Sequence, residues 1–428
     1  MKLIQIGLVG LYVWLLDVSY VHFIYPEYGY MGFVYRGAPS AGMIAVSMFF
    51  ILLPALCTKK ELEKPSEFVF WILYFIVYIP VVWVPNYLFS DMQPNFMYTN
   101  AMMLFCLLII GNVNRLPTLK LTPAQVNMGL LKVVFIVTLL IFFLYTFRVS
   151  GGISLKPPID AEDIYDKRMI SRVNLTPAGG YIIQWLAKVW NPLIVIIGLC
   201  QKKYLYVFIG LALQYLLYTT NGLKSTLLST FLLIIVFIAS HDKGRNFAIY
   251  FCLSLCSLLG ISVVLDFILD QAYLTNLFAR RMIITPGLLT TYYIDFFSTH
   301  PKALLSYNIL ERFIDPVYDR SPPYIIGTEY FGRQQMAANA NMFADAFANF
   351  GYIGFFMYTG VLSVLLWIYD SLTEDVKWRR FGIMILVIPA WCLADTSLTT
   401  TFVTDGMVFT FLIMYALPGA DSQKGVNK

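Results

Sequence analysis

Long runs of apolar residues alternate with short polar connections along most of the chain. About 20 residues of α-helix span the hydrocarbon core of a bilayer, so we interpret twelve of these runs as transmembrane helices. The predicted spans are residues 3–20, 40–57, 68–84, 97–110, 126–147, 182–200, 204–219, 223–239, 247–269, 352–369, 381–398 and 403–417. No internal repeat stands out in the pattern.

The composition agrees with a membrane location. The chain has 428 residues, of which 59% are hydrophobic and only 13% are charged, whereas soluble domains have about 25% charged residues. Soluble, disordered, fibrous and disulfide-stapled secreted proteins are therefore excluded. All six cysteines lie in apolar runs, so we expect no disulfides in exposed loops. We predict an all-α polytopic membrane protein with one integral membrane domain over residues 1–428, its first helix uncleaved.

The basic residues predict the orientation of the chain. If the N-terminus is cytoplasmic, the inner segments hold fifteen of the thirty basic residues, while the short outer loops hold almost none. Cytoplasmic loops are enriched in Lys and Arg. We therefore expect both termini on the cytoplasmic side.

Two long outer loops, 148–181 and 270–351, depart from this pattern. Long loops are not subject to the positive-inside rule, and loops of this length are usually functional or disordered. The second loop is rich in Tyr, Phe and Leu, so we expect it to be folded. Together they carry eleven cations: Arg148, Lys156, Lys167, Arg168, Arg172, Arg280, Arg281, Lys302, Arg312, Arg320 and Arg333.

Arginines mark candidate phosphate contacts in both loops. Arg280 and Arg281 are adjacent just outside the ninth span, and Arg168 and Arg172 are four residues apart in the first loop. The arginine fork binds phosphate oxygens bidentately. The alternatives are ordinary snorkelling anchors for the first pair and a solvated salt-bridge face for the second. Lys188, inside the sixth span, would snorkel or make another phosphate contact.

An aromatic segment follows the arginine pair. Residues 288–299 have helical length, contain Tyr292, Tyr293 and Asp295, and end before His300 and Pro301. Such a segment suits a helix at the membrane–water interface. His300 would be a base near neutral pH or, more commonly for a lone histidine before proline, a turn or capping residue.

The end of the second loop carries a polar stripe. Asn341, Asp345 and Asn349, which come after Asn339, are spaced four residues apart, so a helix would place these three on one face. A polar stripe entering a membrane needs a wet cavity or hydrogen-bond partners. We weigh a binding or catalytic site equally against a structural hydrogen-bond ladder. Asp345 is its only ionisable member and would be a general base or an arginine partner.

Familiar nucleotide and metal motifs are missing from the sequence. It has no Walker A loop, no H-E-x-x-H and no G-x-S-x-G, and its predicted outer face lacks a D-x-D for a divalent ion. We therefore expect no metal and no cofactor. Any transfer on the outer face would draw on a preactivated, lipid-linked donor.

The region from Arg280 to Gly354 resembles the bacterial O-antigen polymerase family (Wzy-type, oligosaccharide repeat unit polymerases). The resemblance rests on short motifs between these bounds and, elsewhere, on the number of helices and the two long loops. Members also have an arginine followed eleven residues later by a glycine in each loop. Arg168 and Gly179 fit this spacing, but the second loop departs from it. The motifs are Arg281-Met282, Pro286-Gly287, Tyr292 to Ser298, Pro301, Pro323-Tyr324, Ile326-Gly327, Tyr330 to Gly332 and Asn339 to Gly354.

The resemblance implies a glycosyltransferase of the lipid-dependent, GT-C-like type in the bacterial cytoplasmic (inner) membrane. It would join undecaprenyl-pyrophosphate-linked oligosaccharides at the periplasmic face by inverting, metal-independent transfer, with a chain-length regulator protein and other assembly proteins as partners. Membrane lipid would surround it, and no nucleic acid is involved.

Residues are assigned to three roles on this basis. Arg168, Arg172, Arg280 and Arg281 would hold the pyrophosphate, and Asp345, Asp295 or His300 would take the proton of the attacking hydroxyl. The sugar contacts would be Tyr292, Tyr293, Tyr324, Tyr330, Asn339, Asn341 and Asn349. An O-antigen ligase or a lipid-linked oligosaccharide flippase remains the alternative function.

Overall fold

A computed structural model describes residues 2–91, 93–124, 126–157, 167, 169, 173–222, 224–307 and 311–426. Within these ranges the protein is all-helical and contains no β-strand. In the described part of the chain, eight helices are long and apolar enough to cross a membrane. They are Lys2–Met31, Pro65–Leu88, Pro94–Arg115, Met128–Val149, Ala178–Cys200, Phe247–Leu269, Met342–Leu372 and Leu398–Pro418.

The remaining helices are shorter or less apolar. Ala41–Cys57 and Ser225–Ala239 are apolar but short. The others include the π-helix Asn276–Ile284 and the α-helices Tyr204–Asn221, Thr285–Thr299, Pro322–Phe331 and Val376–Cys392. Each of the twelve predicted runs lies largely in a helix, and the helix over 247–269 has the predicted bounds. A helical protein with several potential membrane spans is thus confirmed.

The chain forms two compact units. Unit 1 comprises residues 1–116, 242–367 and 391–398. Its centre is the helix Pro65–Leu88, whose most apolar window is completely buried. The helix Thr285–Thr299 packs closely against it, because a Cβ at Gly287 would lie 2.6 Å from the carbonyl oxygen of Pro80. Gly287 therefore permits an approach that no other residue allows.

Unit 2 comprises residues 117–241, 368–390 and 399–428. Its helices Ala178–Cys200 and Tyr204–Asn221 pack side by side as a hairpin. A Cβ at Gly210 would lie 2.5 Å from Cγ2 of Val195, so the missing side chain lets the two backbones approach. The helix Met128–Val149, by contrast, buries little of its surface within the protein.

The helix predicted at the membrane interface has a different environment. Thr285–Thr299 is helical, as expected, but eleven of its fifteen residues are buried. A helix lying flat on a membrane surface would bury one face only. This helix is therefore packed inside unit 1 on more than one face, and its depth relative to the membrane stays a prediction. Its apolar residues occur on every side and pack inside unit 1.

The segment that enters Met342–Leu372 contains a sharp bend. Gly351 has φ 63° and ψ −147°, which is non-helical, and it separates a first helix from a longer second one. The carbonyl oxygen of Ala346 lies only 2.1 Å from where a Cβ on Gly354 would be. The two parts of this element are therefore folded against each other.

Candidate functional site

Arg280 lies in a wide-turned π-helix, Asn276–Ile284, and is only 7% exposed. Its Cζ is 4.1 Å from the centre of the Tyr28 ring and 5.7 Å from that of Phe33. Nε donates a 2.7 Å hydrogen bond to Oδ1 of Asn276. π-Helical turns are often found at functional sites. The guanidinium is thus held by aromatic faces and one amide.

Arg280 forms no salt bridge with a carboxylate of the described residues, although the charge of nearby Glu27 favours its cationic form. Burial, with a smaller contribution from neighbouring Arg281, lowers the pKa of Arg280 to about 10. The group therefore remains cationic at neutral pH. Arg281 is exposed, and its side chain makes no hydrogen bond within the described chain. One buried and one exposed guanidinium thus belong to neighbouring residues whose charges interact, which concentrates positive charge suited to binding an anion.

Tyr292, Tyr330 and Asp295 form a second cluster, which we call the tyrosine ridge. The rings of Tyr292 and Tyr330 stack with centres 4.2 Å apart and planes 14° apart. Oη of Tyr330 donates a 2.6 Å hydrogen bond to Oδ2 of the exposed Asp295. Burial and this hydrogen bond raise the pKa of Tyr330 above its usual value, so the hydroxyl stays protonated. The ridge presents an aromatic face beside a carboxylate.

One turn of the chain contacts both the arginine and the ridge. Nη1 of Arg280 lies 3.6 Å from Sδ of Met31. Oη of Tyr292 donates a 2.5 Å hydrogen bond to the carbonyl oxygen of Gly32, which has φ 81°. The guanidinium and the tyrosine ridge therefore meet adjacent residues. Of the predicted site residues, Arg280 and Tyr292 thus contact the same turn of the chain, at neighbouring positions.

Asn341 and Asn349 have structural roles. Oδ1 of Asn341 accepts hydrogen bonds of 3.0 and 3.1 Å from the backbone N–H groups of Phe343 and Ala344 and so caps the helix. Its Nδ2 donates to Oγ1 of Thr290 at 2.5 Å. Oδ1 of Asn349 accepts a 2.7 Å hydrogen bond from the N–H of Leu305. Of the two readings of the polar stripe, the structure favours a hydrogen-bond ladder at both asparagines.

Asp345 lies on the predicted helical face between them. Its Oδ2 accepts a 2.8 Å hydrogen bond from Oη of Tyr358, so its partner is a tyrosine and not an arginine. Asp345 thus joins the two parts of the bent element, and the side chain of Asn349 is a second hydrogen-bond partner of its carboxylate.

The other predicted contacts are dispersed. Tyr293 is buried and donates a 3.1 Å hydrogen bond to the carbonyl of Ala338, so its ring is not an open platform. Tyr324 and Asn339 are exposed. His300 ends its helix, with Nδ1 2.9 Å from the carbonyl oxygen of Phe296 and its ring stacked on the Phe296 ring at 3.9 Å. The structure favours the capping reading for this histidine.

Residues of unit 2 complete the predicted set. Arg168 and Arg172 lie outside the described residues. Nζ of Lys188 is 2.6 Å from Oδ1 of Asp405, which is 3% exposed. The sequence suggested that Lys188 snorkels to the membrane surface or binds a phosphate. In the structure it instead forms a salt bridge with the buried carboxylate of Asp405.

Asp17 was missed by the sequence analysis. It lies within the first apolar helix, where Oδ1 accepts a 2.6 Å hydrogen bond from Oη of Tyr87. It also borders a cleft of about 360 Å³ with walls that include Trp14, Tyr35 and Trp83. A carboxylate inside a membrane helix is a signal for function. Asp17 was overlooked because it is surrounded in the sequence by apolar residues and belongs to no recognisable motif.

Within the described chain, no three His, Cys, Asp or Glu side chains are grouped closely enough to hold a metal ion. Comparisons with protein-family models, with curated proteins and with solved structures find no significant match to this chain.

Proposed function

We propose that this protein is a surface-polysaccharide (O-antigen) polymerase. It would transfer a growing glycan from undecaprenyl pyrophosphate to a lipid-linked repeat unit at the periplasmic face of the bacterial cytoplasmic membrane. The observation that carries the proposal is the pairing of buried Arg280 with exposed Arg281. It is supported by the helical membrane architecture and by the family resemblance of residues 280–354.

The arginine pair suits the charge that develops in this reaction. The acceptor hydroxyl oxygen forms a bond to the anomeric carbon with inversion, and the bond from that carbon to the pyrophosphate oxygen breaks. Undecaprenyl pyrophosphate leaves with the bonding electrons. Fixed cations stabilise such a leaving group more strongly where water is excluded. Arg280 would supply the fixed charge, and Arg281 the accessible contact.

The proton of the acceptor hydroxyl needs a basic group, the role predicted for Asp345, Asp295 or His300. Asp295 is fourteen residues beyond Arg281 along one continuous helical segment, roughly 20 Å at 1.5 Å per residue. This separation favours glycan binding over proton transfer for Asp295. We therefore propose that the tyrosine ridge binds sugars at some distance from the pyrophosphate.

Further parts of the proposal concern the whole chain. We propose twelve membrane spans, with both termini cytoplasmic and the loops 148–181 and 270–351 periplasmic, in a GT-C-like arrangement. The first loop would contribute Arg168 and Arg172 to the pyrophosphate site. A chain-length regulator and other polysaccharide assembly proteins would be its partners.

The proposal is tested by deleting the gene in its native host and separating the surface polysaccharide by gel electrophoresis. A polymerase deletion reduces the ladder to core carrying a single repeat unit, and the wild-type gene restores the ladder. An unchanged ladder would contradict the proposal.

The two alternative functions, ligase and flippase, predict different patterns of surface polysaccharide on the gel. Loss of every repeat, including the single one, would indicate a ligase or a flippase. A ligase deletion would in addition leave full-length polymer on the lipid carrier, whereas a flippase deletion would leave single repeat units on the cytoplasmic side. Lipid-linked glycans extracted from the deletion strain separate these two outcomes.

A further inference from the structure

The cleft beside Asp17 has the features of a binding site. Its volume of about 360 Å³ falls within the range of small-ligand pockets, roughly 300–1,000 Å³. Trp14, Tyr35 and Trp83 provide aromatic walls, and Asp17 is the charged group among otherwise apolar lining residues. Pockets of this kind combine apolar walls with a few polar groups that orient the ligand.

Asp17 is held in a fixed orientation. Nε1 of Trp83 donates a 2.6 Å hydrogen bond to Oη of Tyr87, and Oη in turn donates one of 2.6 Å to Oδ1 of Asp17. The Tyr87 ring is stacked on Tyr20 with centres 4.0 Å apart. Oδ2 of Asp17 accepts no hydrogen bond from the described residues. One carboxylate oxygen is thus committed to the protein and the other is available to a ligand.

The chemistry of the lining selects among ligands. An oxygen of a carboxyl group accepts hydrogen bonds, so the available oxygen of Asp17 suits hydroxyl donors. No lysine or arginine is among the residues that line the cleft, so a phosphate would find no cation there to bind it. Flat aromatic walls offer contact to the C–H face of a sugar ring. A neutral sugar satisfies all three conditions.

We propose that the Asp17 cleft is a subsite for a neutral sugar, distinct from the tyrosine ridge. This inference rests on the proposed function, in which two lipid-linked glycans must be held at once. Asp17 lies about 22 Å along its helix from Lys2, counting 1.5 Å per residue. With a cytoplasmic N-terminus, that position is near the outer surface of the bilayer, where the glycans would be.

Two glycines allow the cleft to be filled with a matched control. Gly10 lines the cleft, and Gly7 is one turn earlier in the same helix and does not. No atom lies within 4 Å of a Cβ placed at either position. Gly10→Leu and Gly7→Leu therefore add the same side chain at positions where the Cβ has open space, but only the first lies in the lining of the cleft. Asp17→Asn and Asp91→Asn form a second pair, since Asp91 is exposed in an outer connection.

The test is saturation-transfer NMR on the full-length protein in lipid nanodiscs. The probes are methyl glycosides of neutral hexoses, 6-deoxyhexoses and N-acetylhexosamines. We expect at least one glycoside to bind the wild type, with the signal reduced at least fivefold by Gly10→Leu and Asp17→Asn. Gly7→Leu and Asp91→Asn should leave it unchanged.

Other outcomes would overturn the subsite. One is that no glycoside gives a signal that Asp17→Asn reduces. The other is that a glycoside binds Gly10→Leu as well as it binds the wild type. A polyprenyl lipid that co-purifies with the wild type and Asp17→Asn, but not with Gly10→Leu, would replace the sugar as occupant. Failure of the proposed function is distinguishable, because glycosides would still bind while deletion of the gene left the polysaccharide ladder unchanged.

Discussion

Oη of Tyr358 donates a 2.8 Å hydrogen bond to Oδ2 of Asp345, although thirteen residues separate them. In a straight helix they would be about 20 Å apart. The rings of Phe343 and Phe355 also meet edge to face, with centres 5.7 Å apart. Residues before and after Gly351 therefore lie side by side, and the Tyr358–Asp345 hydrogen bond closes this helical hairpin.

Loss of that hydrogen bond should loosen the hairpin. We expect Tyr358→Phe to lower the free energy of unfolding by about 1–3 kcal/mol, since the buried carboxylate loses one donor. The measurement is the thermal midpoint of purified protein in detergent. Tyr98→Phe is the matched control, because Tyr98 is 60% exposed and its hydroxyl makes no hydrogen bond within the described chain. Equal midpoints for the two variants would contradict this role.

Gly351 should tolerate no side chain. Its φ of 63° with ψ of −147° is a combination that is almost restricted to glycine, and a Cβ would lie 3.3 Å from Cε of Lys302. We expect Gly351→Ala to destabilise the protein by about 1–3 kcal/mol. Gly360→Ala, in the second helix of the hairpin with open space around it, should be neutral or stabilising. A thermal midpoint for Gly351→Ala at or above that of the wild type would refute the strained turn.

Arg281→Ala should abolish polymer while leaving the protein abundant, because Arg281 is exposed and makes no hydrogen bond within the described chain. We expect a loss of about 100-fold or more in polymerisation, comparable to the removal of one transition-state donor. Arg333→Ala removes another exposed arginine from the same loop and serves as control. Immunoblots measure abundance, and gels measure polymer length. Near-normal polymer in Arg281→Ala would eliminate the pyrophosphate assignment.

The tyrosine ridge should affect substrate binding more than turnover. Tyr330→Phe removes the donor to Asp295 but retains the ring that stacks on Tyr292. We expect KM for the lipid-linked substrate to rise about tenfold, as for about 1.4 kcal/mol of binding energy, with kcat nearly unchanged. Tyr273→Phe, at a 63% exposed position, is the control. A fall in kcat at constant KM would place the ridge at the reacting atoms instead.

The apolar runs predict the helices well because burial in lipid or protein needs long apolar segments with satisfied backbones. They do not predict the reversal at Gly351, which depends on one backbone conformation inside a continuous apolar pattern. The sequence also locates Arg280 and Tyr292 as candidates. It cannot show that Met31 and Gly32 join them, because those contacts link positions about 250 residues apart. Asp17 was missed for the same reason, because its orientation depends on a hydrogen bond from Tyr87, which is distant in the sequence.

The Lys188–Asp405 pair in unit 2 should be more costly to break than to replace. With Nζ and Oδ1 2.6 Å apart and Asp405 3% exposed, Lys188→Met leaves a carboxylate buried without its cation. We expect that single change to destabilise the protein by about 3–5 kcal/mol. Adding Asp405→Asn should recover part of the loss, because no uncompensated charge remains. Thermal midpoints of both single variants and the double variant, measured in the same detergent, provide the test. If the two single losses simply add in the double variant, the pair is not energetically coupled.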